Sequence, residues 1–387
     1  MGSIKKIFKE NITQYSMIIA LVGIMIFFQI ASGGILLKPL NITNLILQNS
    51  YILILAIGML LVIVAFQIDL SVGSIAAVVG AFGGIMIINH HVSVPLGIAA
   101  LLLIGAFIGA WQGFWVAYVR IPAFITTLAG MMVFRGLTYV SLDGTSIAPF
   151  PKSFQSMSTG FIPDFFNGKS IHITTIVIGL IITVIYVLSE INKIKNQKKY
   201  NFEVAPIGIV AAKVITIVIV INAFSYVMAE YKGLPNVLVL LGVLVAFYTF
   251  ITTKTTLGRH IYALGGNEKA ARLSGVKTKW VVFLVFINMG VLAALSGLVF
   301  AARLNSATPN AGVGFELDAI AACFIGGAST AGGIGTIMGA IIGGLFMGVM
   351  NNGMSLMGVG IDWQQTIKGM VLLLAVAFDV YSKSKTA

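Results

Sequence analysis

The chain reads as an all-α, polytopic helical membrane protein of about 10–12 transmembrane helices with both termini cytoplasmic, and three observations predict this. The first is composition: 58% of the 387 residues are hydrophobic and only 9% are charged, with a mean hydropathy of +1.01. Soluble domains carry about 25% charged residues, and so few charges cannot coat a 41.1 kDa exterior in water. The second is the recurrence of apolar runs long enough to cross a hydrocarbon core of about 30 Å. The third is the way the basic residues sort between alternate gaps.

Runs at 15–36, 44–66, 72–89, 94–117, 122–141, 171–190, 206–228, 235–252, 280–301, 317–331, 335–357 and 363–381 are predicted as crossings. The 317–331 run is short and Gly-rich, which sets the lower helix count. With the N-terminus inside, 16 of the 24 basic residues fall in cytoplasmic segments: Lys5, Lys6, Lys9, Arg120, Lys193, Lys195, Lys198, Lys199, Lys254, Arg259, Lys269, Arg272, Lys277, Lys279, Lys383 and Lys385. Five lie outside (Lys38, Lys152, Lys169, Lys232, Arg303), and Arg135, Lys213 and Lys368 lie within runs. This bias predicts an even number of crossings. It also explains the net charge of +12 without nucleic acid, because the cations sit in short gaps and not on an aromatic-studded face.

The N-terminal lysines followed by an apolar run resemble a secretory signal, but the many later spans favour an uncleaved first helix. The single cysteine, Cys323, excludes an internal disulfide. Residues 1–387 are expected to form a single transmembrane domain, with an external loop at 142–170, punctuated by Pro149, Pro151 and Pro163, and a cytoplasmic loop at 253–279. A weak internal repeat relates Asp69, Gly105–Gly109 and Ile125–Met132 to Asp318, Gly339–Gly343 and Gln365–Val371. Duplicated halves of this kind occur in transporters, and chance likeness among Gly/Ala/Ile-rich helices is the competing reading.

Catalytic signatures are absent. The four histidines form no metal-ligand pattern, and Gly168-Lys169-Ser170 matches only the tail of a phosphate-binding loop, with Pro163 where its first glycine belongs. Asp69-Leu-Ser71-Val-Gly-Ser74 places a carboxylate and two hydroxyls between two apolar runs. A carboxylate at membrane depth is costly and points to a pathway or gate; capping of the next helix is the plainer reading. Glu316 and Asp318 open a similar segment, followed by the glycine-dense stretch Gly326–Gly335, suited to close packing or a broken helix. Arg135 lies mid-run and needs a partner, for which Asp69 is chemically suited, and Lys213 and Lys368 are expected to snorkel. Trp111, Trp115, Trp280 and Trp363 read as interface anchors, although Trp363 and Gln364 also suit contact with a sugar.

The loop from Lys254 to Lys279 combines a polar, glycine-containing turn, Gly258–Gly266, with a short helix-forming run, Glu268–Leu273. Asn267 is a good N-cap, and Glu268 suits the positive end of the helix dipole. Such a capped helix serves equally as a docking knob or as a solvated loop.

The motifs Ile68–Ser74, Ile121–Gly130, Gly258–Val276 and Glu316–Cys323, with Asn352–Met354, Trp363-Gln364 and Lys368-Gly369, together resemble the permease subunits of ATP-binding-cassette importers for monosaccharides: ribose, xylose, arabinose and galactose. Phe134–Gly136, Asn352–Ser355 and the extra stretch near 191–235 make the chain most similar to the xylose-type and multiple-monosaccharide permeases. The resemblance implies a multi-pass bacterial cytoplasmic-membrane protein working as a homodimer, with an extracellular sugar-binding protein and partner ATPase subunits that hold ATP and magnesium, so that this chain carries no cofactor. It places Gly265, Gly266, Asn267, Glu268, Ala270 and Ala271 on the ATPase, with Asp69, Ser71, Glu316 and Asp318 bordering the pathway and Arg135, Trp363 and Gln364 as further candidates. The alternatives are a stand-alone ion- or proton-coupled transporter, in which Asp69 and Arg135 form a relay, and an importer permease for another small solute.

Overall fold

A computed structural model describes residues 12–168, 170–202 and 206–384. Lys5, Lys6, Lys9, Lys169 and Lys385 lie outside the described residues. Helices α1 (Ile12–Ala31), α2 (Pro39–Val64), α3 (Val72–Gly83, continued by a π-helical turn Gly84–Asn89), α4 (Val94–Phe114, continued by Trp115–Val119) and α5 (Ala123–Leu142) cover the first five predicted crossings. Beyond the short helix α6 (Lys152–Thr159) come α7 (Ile173–Lys199), α8 (Ile207–Ala229) and α9 (Asn236–Lys254). Two short helices, α10 (Thr256–Gly266) and α11 (Glu268–Leu273), lead to α12 (Thr278–Leu304), α13 (Phe315–Ile325), α14 (Ile337–Leu356) and α15 (Ile361–Ser384). Among the described residues nine helices are long and apolar enough to cross a membrane.

Proline marks many starts. Pro39 opens α2, and Pro122, Pro151, Pro206 and Pro235 immediately precede α5, α6, α8 and α9, positions where its fixed φ and missing N–H cost nothing. Asp143 and Asn305, with φ of 48° and 54°, end α5 and α12 in the left-handed conformation that stops a helix.

Helix α12 is the central post, packed against α4, α2 and α3. Lipid is as apolar as leucine, so association here depends on close backbone approach. Gly105 and Gly109 of α4 meet the backbone of α12: a Cβ on Gly105 would overlap the Gly290 carbonyl, and one on Gly290 would overlap the Gly105 carbonyl. A Cβ on Gly297 would likewise overlap the carbonyl of Ala76 in α3.

The predicted crossing at 317–331 takes a different form. Helix α13 has eleven residues, about 16 Å at 1.5 Å per residue and only half a bilayer. The chain reaches it through the irregular segment 305–314. Gly312 and Gly314, with φ of 72° and 78°, break helix geometry before it, and Gly327, Gly332 and Gly333 repeat such values after it. The segment is held closely, since a Cβ on Gly312 would overlap the Gly73 carbonyl at the start of α3. Non-helical backbone is tolerated within a membrane only where it is packed in protein or lines water, and Gly312 and Gly326 are buried here.

Contacts define two ends. At one end the Gly333 amide donates to the Val64 carbonyl (2.9 Å), Gly265 abuts the same carbonyl, and the Thr330 amide and hydroxyl donate to Asp379 Oδ2 at 3.2 and 3.0 Å. At the other, Ile147 pairs with Ala307 and Phe161 with Pro235. The 142–170 loop, expected to be irregular, contains α6 and is organised by Asp164. Asp164 Oδ1 accepts from the Thr174 hydroxyl (2.8 Å) and Oδ2 from the Gly168 amide (2.9 Å). Desolvation opposes ionisation, but these bonds, with those from the Thr174 and Phe166 amides, together outweigh it and hold the carboxyl well below the usual range.

Candidate coupling surface and intramembrane polar sites

The stretch 258–266, expected as a turn, lies in the helix α10, which Thr255 caps: the Thr255 hydroxyl accepts from the Gly258 amide at 3.2 Å. Asn267 ends α10 and caps α11, its side-chain oxygen accepting from the Ala270 amide at 3.0 Å, with Glu268 in the first turn. The predicted cap and dipole placement are therefore present. Gly265 and Ala271 face the protein, and Gly265 needs its lack of a side chain because a Cβ would overlap the Val64 carbonyl. Gly266, Asn267, Glu268 and Ala270 are exposed, and Leu273 is 86% exposed beside them. Leu273 escaped the sequence reasoning, because an apolar residue at a helix end carries no mark of its exposure.

Asp69 is 1% exposed and lies between α2 and α3. Its Oδ1 accepts from the Ser71 amide (2.8 Å) and the Ser71 hydroxyl (2.6 Å), and Gln112 of α4 donates to Ser71 Oγ at 2.8 Å. Thr127 of α5 accepts from the Leu70 amide at 3.1 Å. The carboxylate thus shapes the turn that introduces α3, and three helices are tied to that turn by neutral groups. Gln112 and Thr127 were missed, although an amide within a glycine-rich apolar run was a legible signal.

Arg135 is not joined to Asp69. Its guanidinium donates to the carbonyls of Pro309 (3.4 Å) and Ala311, so it steadies the irregular segment where backbone acceptors lack helical partners. Lys368 and Lys213 do not snorkel free either. Lys368 of α15 pairs with the buried Asp318 of α13 at 3.1 Å, and Lys213 of α8 pairs with Glu190 of α7 at 2.9 Å. Glu316, on α13, lies against Gly73, and Arg135 is within its electrostatic range. Trp363 is 68% exposed at the start of α15, and Gln364 donates to the Val359 carbonyl at 2.8 Å. The structure therefore separates the candidates into the α10–α11 projection, the Asp69–Ser71–Gln112 cluster, the Arg135–Glu316–Asp318 region and an exposed Trp363–Gln364 end.

The family model described as branched-chain amino acid transport system / permease component matches residues 41–190 and 154–376, which takes in every one of these sites. The chain belongs to that permease family. It is 38% identical over 380 residues to the xylose transport system permease protein of Haemophilus influenzae, covering 98% of this chain and 99% of the relative. The corresponding Escherichia coli K12 protein is 37% identical over 97% of this chain and 94% of its own length. The ribose import permease protein of E. coli K12 is 35% identical over 88% of this chain and 85% of its own length. No solved structure matches. The chain is a multi-pass membrane permease with a role in transport.

Proposed function

We propose that the chain is the membrane-spanning subunit of an ATP-binding-cassette importer that carries a neutral monosaccharide, xylose first among them, into the bacterial cytoplasm. The observation that carries this reading is the match to xylose permeases over 97–98% of the chain. The end bearing Val64, Gly265 and Gly333 is the cytoplasmic one: Arg120, Lys193, Lys195, Lys198, Lys199, Lys254, Arg259, Lys269, Arg272, Lys277 and Lys279 gather there, as the positive-inside bias requires. Both termini are then cytoplasmic.

The α10–α11 projection serves as the coupling element on a partner ATPase that holds ATP and magnesium, this chain having neither a cofactor nor a catalytic site of its own. Glu268, Ala270 and the exposed Gly266 and Asn267 meet the ATPase, and Leu273 extends that surface. Gly265 and Ala271 transmit the push inward, because they touch the body that α11 rests on. A second permease copy completes the pore, and an extracellular sugar-binding protein delivers the substrate. A proton-coupled mechanism through Asp69 and Arg135 lacks support, since each group is engaged separately.

The double variant Glu268→Lys with Ala270→Trp tests the assignment. Membrane insertion and ATP hydrolysis by the complex should persist while sugar uptake is lost; unchanged sugar-stimulated hydrolysis and uptake would overturn the coupling role.

A further inference from the structure

Beside the proposed coupling helix lies a cavity of about 490 Å³ between the α4–α5 turn and the start of α12, a volume within the range of small-ligand sites. Four cations line it, Arg120, Lys269, Arg272 and Lys279, against a single carboxylate, Glu268. None of the four makes an ion pair with a described residue. Like charges converging on one cavity repel unless an anion joins them. Arg120 also adopts φ 67°, ψ 30°, a left-handed conformation that a long side chain takes at a cost. That turn holds Arg120 at the cavity, which it shares with a second, adjoining cavity lined by Arg272, Lys277 and Lys279.

The apolar border identifies the anion. The adjoining cavity is also lined by Tyr118 and Trp280, which are 41% and 48% exposed. Tyr118 lies edge-on to Phe283 at 5.6 Å, Trp280 contacts Phe283 at 5.5 Å, and Phe114, half exposed, extends the row along α4. Moving from the lipid-facing side inward, one meets apolar rings, then the amphipathic Tyr and Trp, then cations, which is the order of acyl chain, interface and headgroup in a phospholipid. A soluble anion needs only the last of these. Ala270 and Leu273, on the exposed side of α11, do not line the cavity, so the proposed ATPase contact and this site share Glu268 alone and otherwise draw on different residues of one short helix.

We propose that this cavity binds the phosphate headgroup of an acidic phospholipid of the cytoplasmic leaflet, whose acyl chains lie along the Phe114–Tyr118–Trp280 border. Lys269 and Arg272 belong to α11 while Arg120 and Lys279 belong to the membrane body, so one headgroup bridges the two. The lipid site stands on the cavity alone, but its influence on transport rests on the coupling role proposed above.

The test is native mass spectrometry of the full-length permease, purified and then offered phosphatidylglycerol or phosphatidylcholine. The wild type should retain phosphatidylglycerol preferentially. Arg120→Gln and Lys279→Gln should each weaken retention by about fivefold, in line with ~1 kcal/mol per basic residue at an anionic surface. Lys269→Gln, on the exposed short helix, repeats the test should the body variants fold poorly. Lys193→Gln with Lys195→Gln removes twice the charge of either single variant and should leave retention unchanged. Equal retention of both lipids, an equal loss in the Lys193/Lys195 control, or displacement by inorganic phosphate alone would overturn the proposal. So would Arg120 and Lys279 variants that keep the lipid but no longer bind the ATPase. Retention is read without ATP or sugar, so its failure leaves the importer reading intact, and failure of the importer reading leaves retention intact.

Discussion

Helices α2 and α8 are nearly equal in hydropathy, yet 83% of the most apolar stretch of α2 is buried within the protein and none of that of α8 is. In a soluble protein such runs would both seek the core. In lipid, apolarity licenses a crossing and says nothing about which neighbour is met. The difference lies in the small and polar residues. Helix α2 buries Asn41, Thr43, Asn49 and Ser50, pairs Asn41 with Asn352 of α14 at 2.9 Å, and offers Gly58 to Met289. Helix α8 presents Ile215, Ile219 and Val220 outward and is held to α7 by Asn222 with Thr183 (2.9 Å) and by Ser225 against Gly179. The α7–α8 hairpin is thus a peripheral element beside a glycine-knit core.

Three pairs of substitutions put pressure on this contrast, in decreasing order of effect. Gly290→Leu forces backbone apart at the α12–α4 contact, where overpacking has no side chain to displace, and should cost more than ~3 kcal/mol. Gly242→Ala in α9, where nothing lies within 4 Å, should retain a normal yield of monodisperse protein. The two ion pairs come next. Lys368→Met strands Asp318, whose side chain is 5% exposed, and should cost about 3–5 kcal/mol, much of it recovered in Asp318→Leu/Lys368→Met. Lys213→Met breaks a pair whose lysine is 47% exposed and should cost no more than ~1 kcal/mol. Thermal unfolding in detergent compares the two. Smallest is Ile219→Ala on the outer face of α8, expected within ~0.5 kcal/mol, against about 2–5 kcal/mol for Ile57→Ala in α2, which is fully buried. Equal losses at Ile219 and Ile57 would mean that α8 is covered by a partner.

Much of the architecture was legible because a helix must satisfy its own backbone in lipid, so each apolar run maps onto a helix or, at 317–331, onto half of one. That exception turns on Gly312 and Gly314, both at positive φ, and Gly312 packs against Gly73, a partner over two hundred residues away. Asn267 as the cap of α11 was legible because capping is local. The partners of Arg135 and Lys368 were not, since Pro309, Ala311 and Asp318 meet them only through helix packing. The cations of the 254–279 loop were visible as orientation signals, but their convergence with Arg120 on one cavity required the turn between α4 and α5.

A chain that forms a path and takes its energy from another subunit cannot move sugar by itself, which is the behaviour to measure. Radiolabelled xylose uptake into liposomes tests it most directly, comparing the permease alone under an imposed proton gradient with the permease reconstituted alongside its ATPase and sugar-binding protein. Uptake should appear only in the complete complex, require ATP, and persist when the proton gradient is collapsed. Uptake by the permease alone that vanishes with the gradient would contradict the account.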